Sequence, residues 1–332
     1  MRIQGEIMNE SSTSEVLTSD CIRHLPIPFY GSVMGLCGLA IALGHVTGLA
    51  WAAVAGQGLM HATAVWFLML TAAYGVKAFR FPEEVRAEFN HPVRMNFFPA
   101  ISISLLLFSI GYLDTSRGLS AGLWYAGAVL HLVFLLRTLR VWIFRSATVQ
   151  SLNPAWFIPV VGTLLAPLAG VHHAPVEVSW FFFSIGIVFW LVLLTMTVNR
   201  IIFESGLPPK LLPTLFILIA PPAVGFLSYV SLAEELDAIA RVLYFHAIFT
   251  GLMVLTFADR FLKVPFYLSW WAYTFPVAAL SLATFRYQAM TGRDGFGILG
   301  TVLVLALVVL TTVIVFRTAR ALIRGDLCLP EI

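Results

Sequence analysis

Few residues in this chain could do chemistry, and those that could sit at informative places. In SWWAYTFPVAALSLATF (Ser269–Phe285) a bulky ring, Phe275, directly precedes a proline, Pro276, inside an apolar run. Proline frees a backbone carbonyl and bends a helix. An apolar ring in a narrow path can exclude water and hence ions. The ring can equally be a packing side chain, and the residues alone leave both open. Hydroxyls at Ser32, Ser102, Ser104, Thr163, Ser269 and Thr274 lie in comparable runs. With kink-freed backbone groups they could solvate an ion weakly, which suits passage better than tight capture. His131 and His246 lie within apolar runs, where hydrogen-bonded packing is favoured over a proton relay. His172 and His173 beside Glu177 read as a solvated turn before a metal site. Cys21, Cys37 and Cys328 are widely spaced, against a disulfide framework or a zinc site. GRDGFG (292–297) has neither the lysine nor the strand of a phosphate loop. No nucleophile–base pair or cofactor motif is visible, so no enzyme, cofactor or nucleic-acid partner is expected.

The composition says what must position these groups. Of 332 residues, 59% are hydrophobic and 11% charged, too little charge to cover a water-facing surface. The apolar residues fall in runs of about twenty, the length of a transmembrane helix. Ten spans are predicted, at about 26–48, 53–77, 94–113, 119–143, 155–171, 177–202, 211–231, 236–259, 266–288 and 296–322. The chain thus divides into an N-terminal tail (1–24), read as disordered, a ten-helix transmembrane domain (25–324) and a short C-terminal tail (325–332). The N-terminal tail lacks the pattern of a signal peptide, and Met8 is an alternative start to Met1. The tail plus every second connection hold 16 of the 20 Lys and Arg residues, leaving Arg117, Arg241, Arg286 and Arg293 on the other side. The positive-inside rule then places both termini in the cytoplasm of a multi-pass plasma (inner) membrane protein.

The odd-numbered spans form a repeat. Each opens on a proline, Pro28, Pro92, Pro154, Pro213 and Pro265, with an aromatic close behind. Each is then interrupted by glycine or proline, among them Gly31, Gly35, Pro99, Pro159, Pro221 and Pro276. The even spans are longer, rich in Leu and Val, and lack interior proline. Freed backbone groups must be re-satisfied by protein or water, because lipid cannot do so. The five interrupted helices therefore belong inside and the five plain ones outside. Five helices around an axis leave a central pathway, although a solid bundle with packing prolines is the alternative. The odd spans carry no Asp, Glu or Lys at mid-depth, whereas ion-coupled carriers usually need such a group. With a basic cytoplasmic face to concentrate anions, the residues read as a channel or uniporter for anions.

Three stretches, LPIPFYGSVMGL (25–36), FPEEVRAEFNHPVR (81–94) and WWAYTFPVAAL (270–280), with IAPPAVGFLSYVS (219–231), carry a resemblance. The chain resembles the tellurite-resistance/dicarboxylate transporter family, which includes bacterial tellurite-resistance proteins and the plant guard-cell slow anion channels. The resemblance implies an all-α membrane fold of five helical hairpins about a quasi-fivefold pore, assembled as a homotrimer. It further implies that Phe275 plugs the pore and that Gly31 lines it. The sequence departs from some relatives at Pro28 and Val33, where glycine and proline are expected. The family moves chloride, nitrate and similar small anions, and some members carry malate or sulfite. The expected function is passage of small monovalent anions through a phenylalanine-gated pore. The alternative is a proton-coupled or uniport carrier of dicarboxylate, sulfite or tellurite; a membrane scaffold is a third class. The expected partners are small inorganic or organic anions, the lipid bilayer and two further copies of the chain.

Overall fold

A computed structural model describes residues 21–46, 49–145 and 148–328. Met8, the serine-rich stretch 11–14 and the last four residues lie outside the described residues. Every regular element described is helical. Eight helices are long and apolar enough to cross a membrane, and Pro154–Gly170 is a shorter apolar one. The ninth predicted span, Leu268–Thr291, is helical but is not among those eight. Cys21 to Arg23, predicted as disordered tail, form a helical turn, and Arg23 pairs with Glu84 at 2.8 Å. Cys21 is disulfide-bonded, which its sequence spacing did not indicate.

The even spans are single helices: Ala50–Arg80, Arg117–Phe144, Val176–Phe203, Ala238–Leu255 and Asp294–Ile323. They present large apolar side chains outward, among them Val54, Leu68, Val129, Leu191, Phe249 and Leu305. A soluble surface does not carry patches of that extent, whereas a lipid-facing one does. Only 28–39% of each such window is buried, against 61–72% for Ile27–Gly44, Arg94–Tyr112 and Pro209–Ala233. The interrupted helices are therefore the inner layer, as the proline argument requires. Each packs on the even helix that follows it, making five hairpins. The inner helices also contact one another in a closed ring, first to third, third to fifth, fifth to seventh, seventh to ninth and ninth to first.

Each inner span opens as a 3-10 helix and then becomes α-helical. The 3-10 segments are Ile27–Phe29, Arg94–Phe97, Pro154–Trp156, Pro209–Ile219 and Leu268–Tyr273. The α-helices that follow are Tyr30–Gly44, Pro99–Tyr112, Phe157–Val161 (continued as Ala166–Gly170), Ala220–Ala233 and Thr274–Thr291. This corrects the expected role of the prolines. Pro99, Pro159, Pro221 and Pro276 all fall in the first turn of an α-helix. The first amides of a helix have no intrahelical partner, so proline removes nothing there. Pro276 therefore lies in the first turn of the helix that begins at Thr274, where the 3-10 segment Leu268–Tyr273 gives way to α geometry.

Candidate functional site

The inner spans share a repeated side-chain hydrogen bond. Ser32, Ser102, Thr163, Thr214 and Thr274, one in each inner span, donate to the carbonyl three residues earlier, at 2.7, 2.8, 2.7, 2.6 and 2.7 Å. Each hydroxyl is thus satisfied within its own helix, as burial away from water demands; the Val160 and Trp271 carbonyls accept a backbone amide as well. The predicted lumen hydroxyls are corrected accordingly. Ser32, Ser102, Ser104, Thr163 and Thr274 are buried against their own helices, and Ser269 alone of that set lines the central space.

That space is a cavity of about 70 Å³ on the axis of the ring. Its walls come from all five inner spans and from no outer helix: Gly31, Ile103, Val161, Ile217 and Phe275 represent the five. Nearly every group facing it is apolar, and apolar cavities of even about 150 Å³ stay dry. Phe275 and Pro276 both line it, with the ring half-buried. Gly31 lines it too, and a Cβ added there would meet Trp271 Cβ at an ordinary 3.5 Å. Gly35 does something else. A Cβ on it would come within 2.9 Å of Thr274 Cβ and 3.2 Å of the Trp271 ring, so it lets the first and ninth spans touch. Pro99, Pro159 and Pro221 are buried behind the wall and do not line it.

On one side the cavity continues into a wider vestibule of about 290 Å³. The two share Pro28, Phe97, Thr214, Leu268 and Ser269. The vestibule adds His91, Arg94 and Lys210 to its wall, two of them cationic side chains, just outside the dry segment. A funnel of one sign concentrates the opposite sign of ion.

The charged motif FPEEVRAEFNHPVR, which the sequence reading used without assigning it work, frames this vestibule. Pro82–Asn90 is a helix whose Glu88 is buried. Glu88 pairs with buried Lys77 at 3.0 Å and accepts from the Ile27 amide at 3.2 Å and the Tyr74 hydroxyl. Lys77 also donates to the Leu25 carbonyl at 2.7 Å. Next along, the His91 ring accepts from the amides of Val93 and Arg94, which starts the third span. The motif therefore holds the first span at Ile27, one residue before the cavity-lining Pro28. The signal that could have revealed this was the clustering of three carboxylates, Glu83, Glu84 and Glu88, with Arg86, His91 and Arg94 in an otherwise apolar chain.

The histidines have local partners. His131 Nδ1 lies 2.9 Å from Ser102 Oγ, and its ring fills the space that a Cβ on Gly162 would need, 2.7 Å from Nε2. His246 packs edge-on against Trp190. His173 Nε2 sits 2.8 Å from Ser120 Oγ; burial lowers its pKa, with neighbouring His172 and Arg117 adding to the effect. Among the described residues no three His, Cys, Asp or Glu converge as a metal site.

A ring of five helical hairpins, apolar outside and enclosing a narrow axial path, defines a multi-pass membrane protein of the pore-forming or carrier class. Residues 24–319 match the family described as SLAC1, voltage-dependent anion channel. The chain belongs to that family. It is 30% identical over 284 residues to the S-type anion channel SLAH2 of Arabidopsis thaliana, covering 80% of this chain and 53% of that one. It is 31% identical to SLAH3 of the same plant, covering 82% and 44%. It is 25% identical to the tellurite resistance protein TehA homolog of Haemophilus influenzae, covering 90% and 94%. The chain thus spans about half the length of the plant relatives. An uncharacterized transporter of Methanocaldococcus jannaschii is 28% identical over 264 residues, covering 70% of this chain and 76% of that one, so the relatives are anion channels, a transporter and a tellurite resistance homolog rather than enzymes.

Proposed function

We propose that this chain passes small monovalent anions, of the chloride or nitrate kind, through its axial path, with Phe275 closing the dry segment. The observation that carries the reading is the cavity itself: its walls come from all five inner spans, Phe275 stands on it, and it is continuous with a basic vestibule. The absence of an acidic ring fits anions and not cations. The anion-channel names of the plant relatives support it. A carrier of dicarboxylate, sulfite or tellurite is the second reading, favoured by the transporter and tellurite-resistance names. Voltage-clamped recording from the purified protein in a planar bilayer separates them. Unitary anion currents support the channel; pH-coupled flux without unitary currents supports the carrier.

Assembly as a homotrimer, one path per subunit, belongs to the same reading, as does insertion in the plasma (inner) membrane with both termini cytoplasmic. Reporter fusions after Ile332 and in the loop at Asp294 test the orientation. The expected result is a cytoplasmic reporter at the first and an external one at the second; an external C-terminus overturns it.

Gly31 offers a direct test of the path. Gly31→Asp places a carboxylate in the cavity, and at about 4 Å with an effective dielectric near 20 it repels an anion by about 4 kcal/mol. Gly31→Asn, of equal size and no charge, is the control. Anion flux into liposomes is expected to fall much further for Asp than for Asn. Burial raises the pKa of such a carboxyl, so lowering pH neutralises it and returns Gly31→Asp toward the Asn level. Equal flux for both variants at neutral pH removes Gly31 from the ion path.

A further inference from the structure

A second, wider cavity lies off the axis. It has a volume of about 950 Å³ and lies at the basic end, between the last turns of the tenth span and the lead-in to the ninth. Its polar wall carries Arg317, Arg320 and Arg324, spaced three and four apart and so stacked on one helix face. Among the described residues, none of the three arginines forms an ion pair with a carboxylate. Arg317 instead lies 5.5 Å over the Trp270 ring. The other wall is apolar, with Phe266, Leu268, Val313 and Phe316. Val313 and Phe316 are exposed on the lipid-facing side of the tenth span.

A general positive-inside bias explains the sign of these residues but not their convergence on a cavity with an apolar lower wall. We propose that this cavity binds the phosphate headgroup of an anionic phospholipid, with the arginine face on the phosphate and an acyl chain along Val313 and Phe316. Charge complementarity selects an anion, since among the described residues three guanidiniums stand against one carboxylate, Asp326, on the cavity wall. The apolar wall, continuous with the lipid-facing surface, selects a lipid over a soluble phosphate. Basic pockets of this kind between transmembrane helices are fitted to lipid headgroups. The bound lipid would touch Leu268, which also lines the axial cavity. The same helix end is tied to the ninth span by the bond from Trp271 Nε1 to Thr318 Oγ1, at 3.1 Å.

The test titrates the full chain, purified in neutral detergent, with dioctanoyl phosphatidylglycerol, dioctanoyl phosphatidylcholine and inorganic phosphate, counting adducts by native mass spectrometry. Phosphatidylglycerol is expected to bind, and the other two are not. In Arg317→Gln/Arg320→Gln/Arg324→Gln its affinity falls by roughly a hundredfold, the sum of about 1 kcal/mol for each basic residue. Arg80→Gln/Arg86→Gln, exposed charges at the same end, leave it unchanged. Val313→Trp keeps every charge and fills the acyl wall, and it too weakens phosphatidylglycerol. Should the triple variant misfold, Arg320→Gln and Val313→Trp decide the matter. Unchanged phosphatidylglycerol affinity in the folded arginine variants overturns the site. Binding of inorganic phosphate as strong as that of phosphatidylglycerol, or indifference to Val313→Trp, overturns the lipid and leaves a soluble-anion site.

Discussion

Phe275→Ala is expected to raise basal anion conductance strongly, with larger anions gaining most. The ring stands on a wall that is almost wholly apolar, in a cavity of about 70 Å³. An ion crossing a dry segment faces a desolvation cost of tens of kcal/mol in the idealised limit. Hydration of that segment therefore dominates the barrier, and removing the ring opens room for water to bridge it. No cation current should appear, because the basic side chains of the vestibule, Arg94 and Lys210, are untouched. Tyr267 is the control: it lies off the axial cavity, on the wall of the larger basic one, and Tyr267→Ala should change conductance much less. A purely packing Phe275 behaves differently. Truncation of a buried Phe costs about 3–5 kcal/mol, so expression and thermal stability fall while current per surface protein stays level or drops. Oocyte or single-channel recordings of both variants, normalised to surface protein, separate the two. No rise in current from well-folded Phe275→Ala places the barrier elsewhere on the axis.

The division into inner and outer helices was legible because it rests on local signals. Run length and the recurrence of proline and glycine in alternate spans depend only on neighbours in the chain. The penalty for unsatisfied backbone in lipid turns them into an inside–outside assignment. The hydroxyls were misread for a physical reason. A serine in an apolar helix looks the same in sequence whether it faces a lumen or bonds the carbonyl three residues back. The choice depends on which way the helix is turned in the packed ring, which neighbours in the chain do not encode. Pro276 was misread as well: a proline in mid-span reads as a kink until the helix is seen to begin two residues earlier, at Thr274. Gly31 and Gly35 both read as interruptions of the first span, yet the two face different neighbours, the cavity and Thr274. The charge cluster of FPEEVRAEFNHPVR marks it as special, but its hold on the first span is not legible because Ile27 lies 61 residues from Glu88.

Loss of Glu88 is expected to be the most damaging change outside the axis. Glu88 and Lys77 are 3% and 2% exposed, so removing the carboxylate leaves a buried ammonium without its counter-charge. Breaking a buried pair from one side costs about 3–5 kcal/mol. The Ile27 amide and the Tyr74 hydroxyl lose their acceptor at the same time. Glu88→Ala should therefore lower the thermal aggregation temperature of the detergent-purified protein far more than Glu84→Ala, whose partner Arg23 is 44% exposed and whose surface pair contributes at most about 1 kcal/mol. The double variant Glu88→Leu/Lys77→Met replaces the pair by apolar groups of similar volume and should recover much of the loss, since such replacements are often neutral. The defect has a second signature, because Ile27 precedes Pro28 on the wall shared by vestibule and cavity. Once the first span is released, surviving Glu88→Ala protein should conduct with altered, noisier openings, while the double variant, still lacking the Ile27 acceptor, keeps that disturbance despite restored stability. Full recovery of both stability and conductance in the double variant would mean that the pair supplies charge balance alone and that the Ile27 bond does not set the register of the first span.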